Sequence, residues 1–404
     1  MKQTFIFVLG RNAALSVAEI LAVLTVNKWD FEIVLQTSEV LLVDSSSLDY
    51  KILNKTLGGT VKIGVVCGVS PLESISEVLD VKFLTEKIFA QTEHKIQFGI
   101  SVYDGGDYKQ VERVDAQIES LYKRIKKELS VYSYSVRFAF QKDRYLSSVV
   151  VSKNKMIEKG AEVLLIPTPD GVVIGKTLCV QEFEEFSARD YGRPVRDMKS
   201  GVMPPKLARM MINLAQISKD AVLLDAFCGS GTVLQEAAIL GYKHIYGRDV
   251  SQKAVNDSKQ NAKWLFESMP ELETQIDIEK CDVTNLAGNL GEKVAAVVSE
   301  PYLGPTLHQE LPHLEFERLT YELEKLYIGA FKEFAKILSS RGVVVFILPV
   351  FQRRRQKAYM EILSKIENLG FKKQVLEENS RGGITIGNRY DFVLREIVKF
   401  EKLS

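Results

Sequence analysis

An α/β fold is predicted for the second half of this chain: a largely parallel sheet with helices on both faces, closed by an antiparallel pair and preceded by a smaller α+β region. Two patterns carry that expectation. From Ala221 onward, short apolar runs alternate with longer segments of helical periodicity, as parallel strands joined by crossover helices require. The last two runs, around KKQVLEENS and NRYDFVLREI, follow each other with only a glycine-containing turn between them, which demands an antiparallel pair. At 404 residues the chain exceeds one ordinary core. Four segments are expected: residues 1–65 and 66–182 as two small packed units, 183–204 as a basic connector, and 205–404 as the main domain.

Taken in order, TFIFVL reads as a buried strand and SVAEILAVL as an amphipathic helix. EVLLVDS and TVKIGVVCGV read as strands, Ile75 to Glu93 as helical, and KIQFGISVYD as a further strand. VERVDAQIESLYKRIKKEL is a periodic basic helix, and SYSVRFAF, VVVSKN and AEVLLIPT are strand candidates ahead of a hairpin through PDGVVIGKTLCVQ. EFSARDYGRPVRDMKSGVMPP is polar and broken by Gly and Pro, a connector. The helix PKLARMMINLAQIS follows, its Pro205 acceptable in the first turn. Then come the strand AVLLDAF, a loop and helix over GSGTVLQEAAILG, the strand HIYGRD and the long helix SQKAVNDSKQNAKWLFESM. The strands IDIEKCD and AAVVSEP precede the loop LGPTLHQELPHLEFERL, the helix LTYELEKLYIGAFKEFAKILSS, the strand GVVVFILPV and a helix over QKAYMEILSKIENLG.

Lys plus Arg number 53 against 52 Asp plus Glu, so global charge favours no polyanionic partner. Locally the balance shifts. Residues 109–160 hold twelve basic against six acidic side chains, and residues 351–373 hold seven against two. Two such blocks polarise a surface as contact with a phosphate backbone requires, although solvated helix faces have the same composition. Cys67, Cys179, Cys228 and Cys281 lie far apart with no CxxC pair and read as buried residues of a reducing compartment. The opening apolar run is too short for a signal-peptide core or a membrane span, so a cytoplasmic location is expected. His308 and His313, near Glu310, Glu315 and Glu317, match no compact ligand spacing, and no metal is expected.

Chemistry concentrates at the strand ends. VLLDAFCGSGTVLQEA places Asp225 at the end of a buried strand and Gly229 and Gly231 in the turn that opens a helix, with Phe227 and Thr232 on the same turn. Such glycines admit close approach of a ligand to the backbone, and the helix N-terminus favours an anionic group. The turn alone does not separate a dinucleotide from another nucleotide-like cofactor. Asp249 ends the second strand, where a carboxylate accepts hydrogen bonds from ribose hydroxyls, and Asp282 ends the third, within reach of an adenine amino group. The fourth strand ends in Ser299, Glu300, Pro301 and Tyr302. A carbonyl and a side-chain acceptor there hold a planar exocyclic amine, and a tyrosine face stacks the base. The base must leave its stack or start unpaired.

DAFCGSGT resembles the first motif of amino-methyltransferases, with Ala226 where Pro is usual, and SEPY resembles their fourth motif. RDYGRPVRDMKSGVMPPKLARMMINLA is similar to the segment that precedes the catalytic domain in THUMP-domain tRNA guanine-N2 methyltransferases, the group that modifies guanosine at position 10. The resemblance is carried by Arg189 to Tyr302 and extends more loosely to Arg395. Before Phe183 only size and strand-helix order match a ferredoxin-like subdomain (1–65) and a THUMP domain (66–182). The resemblance implies a seven-stranded Rossmann-like methyltransferase domain with an antiparallel last strand, S-adenosylmethionine as cofactor, and tRNA as partner. Residue by residue it implies a cofactor loop at Asp225, Gly229 and Gly231, a ribose ligand in Asp249, an adenine ligand in Asp282, and a target-base pocket of Ser299, Pro301 and Tyr302. One departure stands out: Ser-Glu-Pro-Tyr replaces the usual Asp-Pro-Pro-Tyr, so either Glu300 takes over the carboxylate's work or Ser299 binds the amine as a neutral acceptor.

For RNA contact the sequence offers Arg189, Arg193, Arg196 and Lys199 in the connector, Lys206 at the next helix start, and Arg353, Arg354 and Arg355 after the fifth strand. Two other functions fit the same residues: an adenine-N6 or cytosine-N4 methyltransferase on DNA or another RNA, and a catalytically silent RNA-binding protein of the same fold. A small activating protein subunit stands as a second candidate partner.

Overall fold

The computed structural model describes residues 2–89, 95–139, 142–196, 203–353, 356–377, 381–388 and 390–403. The chain forms two compact units, Met1–Glu184 and Glu185–Ser404.

The first unit is built on one eight-stranded sheet. Its strands are β1 (Gln3–Leu9), β2 (Glu32–Gln36), β3 (Val40–Ser45), β4 (Thr60–Ser70), β5 (Lys95–Val102), β6 (Ser135–Phe138), β7 (Gly160–Thr168) and β8 (Gly171–Val180), in the order β2-β3-β1-β4-β8-β7-β5-β6. The boundary expected between residues 65 and 66 therefore falls inside β4, which pairs with β1 on one side and β8 on the other. The helix Ala13–Val26 buries Val17, Ile20, Val23 and Leu24 against this sheet. In the basic helix Ile118–Val131, Leu121, Ile125 and Leu129 recur every four residues and are buried with Phe98, which leaves Lys123, Lys126 and Lys127 exposed.

Two elements of this unit differ from the sequence pattern. VVVSKN is not a strand: Ser147 accepts a hydrogen bond from the Val150 N–H and starts the helix Ser148–Lys153, so a side-chain cap overrides β-branched propensity. β2 leaves no pattern in the sequence, because it is an edge strand with almost no buried side chain. At the heart of the sheet, Lys62 and Glu162 form an ion pair with both side chains buried. Glu162 also accepts from the Ser101 hydroxyl (2.5 Å) and the Thr177 hydroxyl (2.6 Å), and Lys62 donates to the Leu146 carbonyl at 2.6 Å. Desolvation pushes the lysine pKa below its ordinary value while the carboxylate pulls it back up.

The second unit is a mixed sheet of β9 (Val222–Asp225), β10 (His244–Asp249), β11 (Gln275–Lys280), β12 (Val294–Ser299), β13 (Leu338–Arg353), β14 (Gln356–Tyr359), β15 (Phe371–Gln374), β16 (Ile384–Ile386) and β17 (Val393–Lys402). The main path is β11-β10-β9-β12-β13-β17-β15, with β14 added to β13 and β16 to β17. From β11 to β13 neighbours are parallel, while β17 is antiparallel to both β13 and β15. Seven strands with one reversed strand are thus present, as expected, with two short additions. The helix His313–Ile337 buries Leu323, Tyr327, Ala330, Phe331, Phe334 and Ile337. Phe331 meets Phe346, Phe371 and Phe400 edge-on at 5.4, 5.2 and 5.3 Å.

Three elements differ from expectation. The connector contains the helix Phe183–Tyr191, whose Phe186 and Arg189 are buried. The loop before the long helix is shorter than its Gly and Pro content suggests, because the helix begins at His313 directly after Pro312 and seats Phe316 on Phe351, rings 5.2 Å apart. QKAY is strand β14, paired back onto β13, and only Leu363–Glu367 is helical. Cys228 and Cys281 are buried, Cys67 and Cys179 half-buried, and all four thiols are free. Among the described residues no helix is long and apolar enough to cross a membrane.

Removing one partner of a buried ion pair strands the other. Glu162→Ala is expected to destabilise the first unit by about 3–5 kcal/mol, read from urea denaturation followed through Trp29. A loss below about 1 kcal/mol, the scale of an exposed pair, would mean that the lysine is not dependent on its partner.

Candidate active site

Parallel strands diverge where their order reverses, and here that point lies between β9 and β12. The turn after β9 is held in one shape. Gly229 and Gly231 have φ of 50° and 84°, and a Cβ on Gly231 would stand 2.4 Å from the Ser258 hydroxyl, so conformation and space both call for glycine. The Gly231 N–H donates to the Cys228 carbonyl (2.7 Å), Asp249 Oδ2 accepts from the Gly229 N–H (3.0 Å), and buried Asn261 donates to the Ser230 carbonyl (2.9 Å). The helix Thr232–Ile239 starts directly after this turn.

Asp225 is buried, its Oδ1 accepting from the Ser299 hydroxyl (2.8 Å) and the Phe227 N–H (3.2 Å). Burial pushes its pKa up to about 7, against the pull of those two hydrogen bonds and with a further push from the nearby charges of Asp249 and Glu300. Ser299 is fully buried, and besides donating to Asp225 it accepts from the Ala226 N–H at 2.8 Å. Its hydroxyl is a tie between β9 and β12. Of the two residues expected to hold an amine, Ser299 is buried with its hydroxyl engaged by Asp225 and Ala226, whereas Glu300 lines the adjoining cleft.

A cleft of about 750 Å³ opens at these strand ends. One wall is Asp225, Phe227, Gly229, Thr232 and Asp249; the other is Glu300, Pro301, Tyr302, the loop Leu303–Leu307, Asp391–Val393 and Arg395. Glu300 Oε1 accepts from Arg395 Nε at 2.5 Å. Tyr302 is 57% exposed, and its carbonyl accepts from the buried Tyr327 hydroxyl at 2.7 Å, which pins the loop to the long helix. Eight of the expected cofactor and base residues, Asp225, Phe227, Gly229, Thr232, Asp249, Glu300, Pro301 and Tyr302, line this one cleft. Gly231 underlies it. Asp282 does not line it: it is exposed, and its carboxylate accepts from the Thr284 N–H (2.9 Å) and hydroxyl (2.7 Å), hydrogen bonds that lower its pKa. Both of these bonds fall on Oδ1 of the exposed carboxylate, at the end of the turn after β11.

The expected RNA-contacting arginines are largely internal. Glu236, buried on the helix Thr232–Ile239, accepts from Arg189 Nε (2.6 Å) and Arg209 Nε (2.8 Å), and both guanidiniums lie 4.7 Å from the Phe186 ring centre. Arg193 is buried and donates to the Thr232 hydroxyl at 2.6 Å. Arg196 stacks on Tyr191 and faces Asp190 at 3.6 Å, and Lys206 lies 5.4 Å from the Phe186 ring, its pKa lowered by burial. Arg353 stacks on Phe316 at 4.1 Å and donates to the Leu311 carbonyl at 3.3 Å. Arg189 and Arg193 are thus buried and paired within the fold, while Arg353 is half-buried. Lys199, Arg354 and Arg355 lie outside the described residues. Asn261 and Arg395 were not singled out in the sequence. A polar residue in the helix interior and a lone arginine in the apolar run FVLREI were their only signals. Among the described residues no group of three or more His, Cys, Asp or Glu side chains is placed to hold a metal ion.

A family model for the RMKL-like methyltransferase domain, UPF0020, matches residues 193–365, which include the glycine turn and the Ser299–Tyr302 segment. The chain is related at low identity to that methyltransferase family. A DNA methylase model matches residues 86–260. The tRNA (guanine(10)-N2)-dimethyltransferase of Methanothermobacter thermautotrophicus is 32% identical over 136 residues, 33% of this chain and 37% of that protein, so the match spans little more than a third of the relative. In fold, the crystal structure of TrmN from Thermus thermophilus superposes over 99% of this chain and 100% of its own at a TM-score of 0.58 and 14% identity. SMU.472 complexed with SAH does so over 98% and 97% at 0.51 and 12%.

Asp225 generates a pH test of the ligand-free protein. Its folded pKa of about 7 lies above the ordinary value near 4, so the folded state holds this proton more tightly than the unfolded one. The stability contributed is complete below about pH 4 and is lost as pH rises through about 7. Asp225→Asn is expected to flatten that decline, by an amount on the order of a few kcal/mol between pH 4.5 and 8. Urea denaturation followed through Trp264 in a Trp29→Phe background checks it, and identical pH slopes for both proteins would refute it.

Proposed function

We propose that this protein transfers a methyl group from S-adenosylmethionine to the exocyclic N2 amine of a guanosine in tRNA. The observation that carries the cofactor half of the proposal is the charge of the cleft. Asp225, Asp249 and Glu300 converge on it, with Arg395 already taken up by Glu300. Such a wall repels the pyrophosphate of a dinucleotide and suits a cationic sulfonium and ammonium. A glycine turn that admits no side chain at Gly231, running into a helix N-terminus, fits the amino-acid end of that cofactor, and Asp249, which lines the cleft with each carboxylate oxygen accepting one backbone N–H, has a second lone pair on each oxygen for ribose hydroxyls. A match to UPF0020 and a solved relative in fold complexed with SAH support the same cofactor.

S-adenosylmethionine, when bound, supplies a methyl group already activated by its sulfonium. The protein's part is positioning. Glu300 offers a carboxylate oxygen to an amine N–H, the carbonyl preceding Pro301 offers a second acceptor, and exposed Tyr302 offers a ring face on which a base taken out of its stack can lie. The guanine N2 amine and the tRNA substrate are carried over from the named relative in Methanothermobacter thermautotrophicus. The match to a DNA methylase model favours a second reading, amine methylation on DNA, but it stops at residue 260, before the base-binding segment.

Three outcomes test the proposal. Purified protein with labelled cofactor and unmodified tRNA transcripts is expected to yield N2-methylguanosine on nucleoside analysis. Label in adenine or cytosine of DNA instead would establish the second reading. Tyr302→Ala is expected to lower kcat/KM roughly tenfold or more through loss of base stacking, with cofactor affinity unchanged by calorimetry. Binding of S-adenosylmethionine to the wild type is expected to strengthen as pH rises through about 7, because the cation favours ionised Asp225. A pH-independent affinity would place the sulfonium and ammonium away from that carboxylate.

A further inference from the structure

The Glu300–Arg395 pair is unlike the other buried pairs of this unit. Arg395 is a third exposed and Glu300 about one-sixth exposed, and both line the cleft. Its neighbour on β17, Glu396, is buried on the opposite face and pairs with Arg381 at 3.0 Å, as strand alternation dictates. Glu396 therefore serves the core, while Arg395 serves the cleft. The pair is thus only partly buried and stands at the cleft surface, where its two side chains are open to a ligand. Only Oε1 of Glu300 is held; among the described residues its Oε2 has no hydrogen-bond partner. Arg395 reaches it from a strand two places removed from β12, with β13 between them and Pro349 in register with Arg395.

We propose that Arg395 is a positioning residue for the target amine: by fixing Glu300 Oε1 through Nε, it presents Oε2 to the amine that receives the methyl group. This deepens the reading of the cleft as a base-amine methyltransferase site and rests on it. The geometry gives the reason. A glutamate has three side-chain torsions and, untethered, spreads its carboxylate over many positions, whereas transfer between nucleophile and electrophile depends on sub-ångström placement. A guanidinium is a rigid fork with a permanent charge, so one contact removes most of that freedom. It also sets a cation beside a carboxylate that stands near Asp225 and Asp249, which eases the mutual repulsion in the wall.

The test uses the full chain, labelled S-adenosylmethionine and unmodified tRNA transcripts, with Glu300→Gln, Arg395→Lys, Arg395→Met and the Glu300→Gln/Arg395→Met double variant. Arg395→Met is expected to lower kcat by roughly ten- to a hundredfold, with KM for tRNA and the cofactor dissociation constant within about twofold of wild type. Arg395→Lys is expected to recover part of the rate. In the double variant the second change is expected to add nothing to the loss caused by Glu300→Gln, since both act through one group. An unchanged kcat in Arg395→Met, a loss in KM alone, or losses that multiply in the double variant would overturn the role of Arg395 while leaving methyl transfer standing. Wild-type protein that binds cofactor yet labels neither tRNA nor DNA would instead overturn the reading of the cleft on which the role rests.

Discussion

The hydroxyl of Ser299 holds the candidate site together. It donates to Asp225 and accepts from the Ala226 N–H, so two adjacent parallel strands are joined side chain to side chain and side chain to backbone at the point where their order reverses. Parallel strands are free to splay at such a point, and the crevice that results is where this fold class places ligands. With the tie in place, the glycine turn leaves β9 in one direction and Glu300-Pro301-Tyr302 leaves β12 in the other, and the cleft between them has a fixed width. The fully buried Ser299 also supplies the hydrogen bond that partly offsets the burial of Asp225.

Charge organises the rest of the unit in two layers. Behind the glycine turn, Glu236 is enclosed by Arg189 and Arg209, and Arg193 reaches the Thr232 hydroxyl. These residues belong to the helix Phe183–Tyr191, the segment that follows it, and the helix Pro205–Ala215, so the chain preceding β9 is buttressed onto the helix that opens the candidate cofactor site. In front of the turn the wall is acidic. Basic residues in this stretch therefore brace the glycine turn from within.

That inversion marks the limit of what the sequence discloses. The strand-helix alternation from Ala221 was legible because each buried strand is a short apolar run and each helix has its own period; the antiparallel end was legible because two strands lacked a connecting helix. Asp225, Gly229, Asp249 and Glu300-Pro301-Tyr302 were legible because strand ends in such a sheet converge whatever the connecting helices do. Composition failed where long-range packing decides. The density of arginine in 189–196 is the same whether the side chains face solvent or surround a buried glutamate, and only the position of Glu236, forty-seven residues from Arg189, distinguishes the two. A strand-end aspartate that caps its own turn, as Asp282 does, has the same sequence signature as one that lines the cleft, so the sequence alone does not separate the two. Ser147 turned an apolar β-branched run into a helix with a single hydrogen bond.

The displaced acid of Ser-Glu-Pro-Tyr acquires a physical reading from this geometry. Successive residues of a strand face opposite ways, so moving a carboxylate by one position moves it to the other side of the backbone. Position 299 faces Asp225 and the Ala226 N–H. A carboxylate there would stand against Asp225, itself already raised to about 7 by burial and by neighbouring acids. A serine in that place removes one negative charge and closes the gap between the strands. The acid then stands at 300, facing the cleft, where the same crowding of carboxylates would disfavour it unless a cation came with it. Arg395 is that cation, contributed by the one reversed strand of the main sheet path. Serine at 299 thus ties the strands, and glutamate at 300 with arginine at 395 puts a paired carboxylate beside Pro301 and Tyr302.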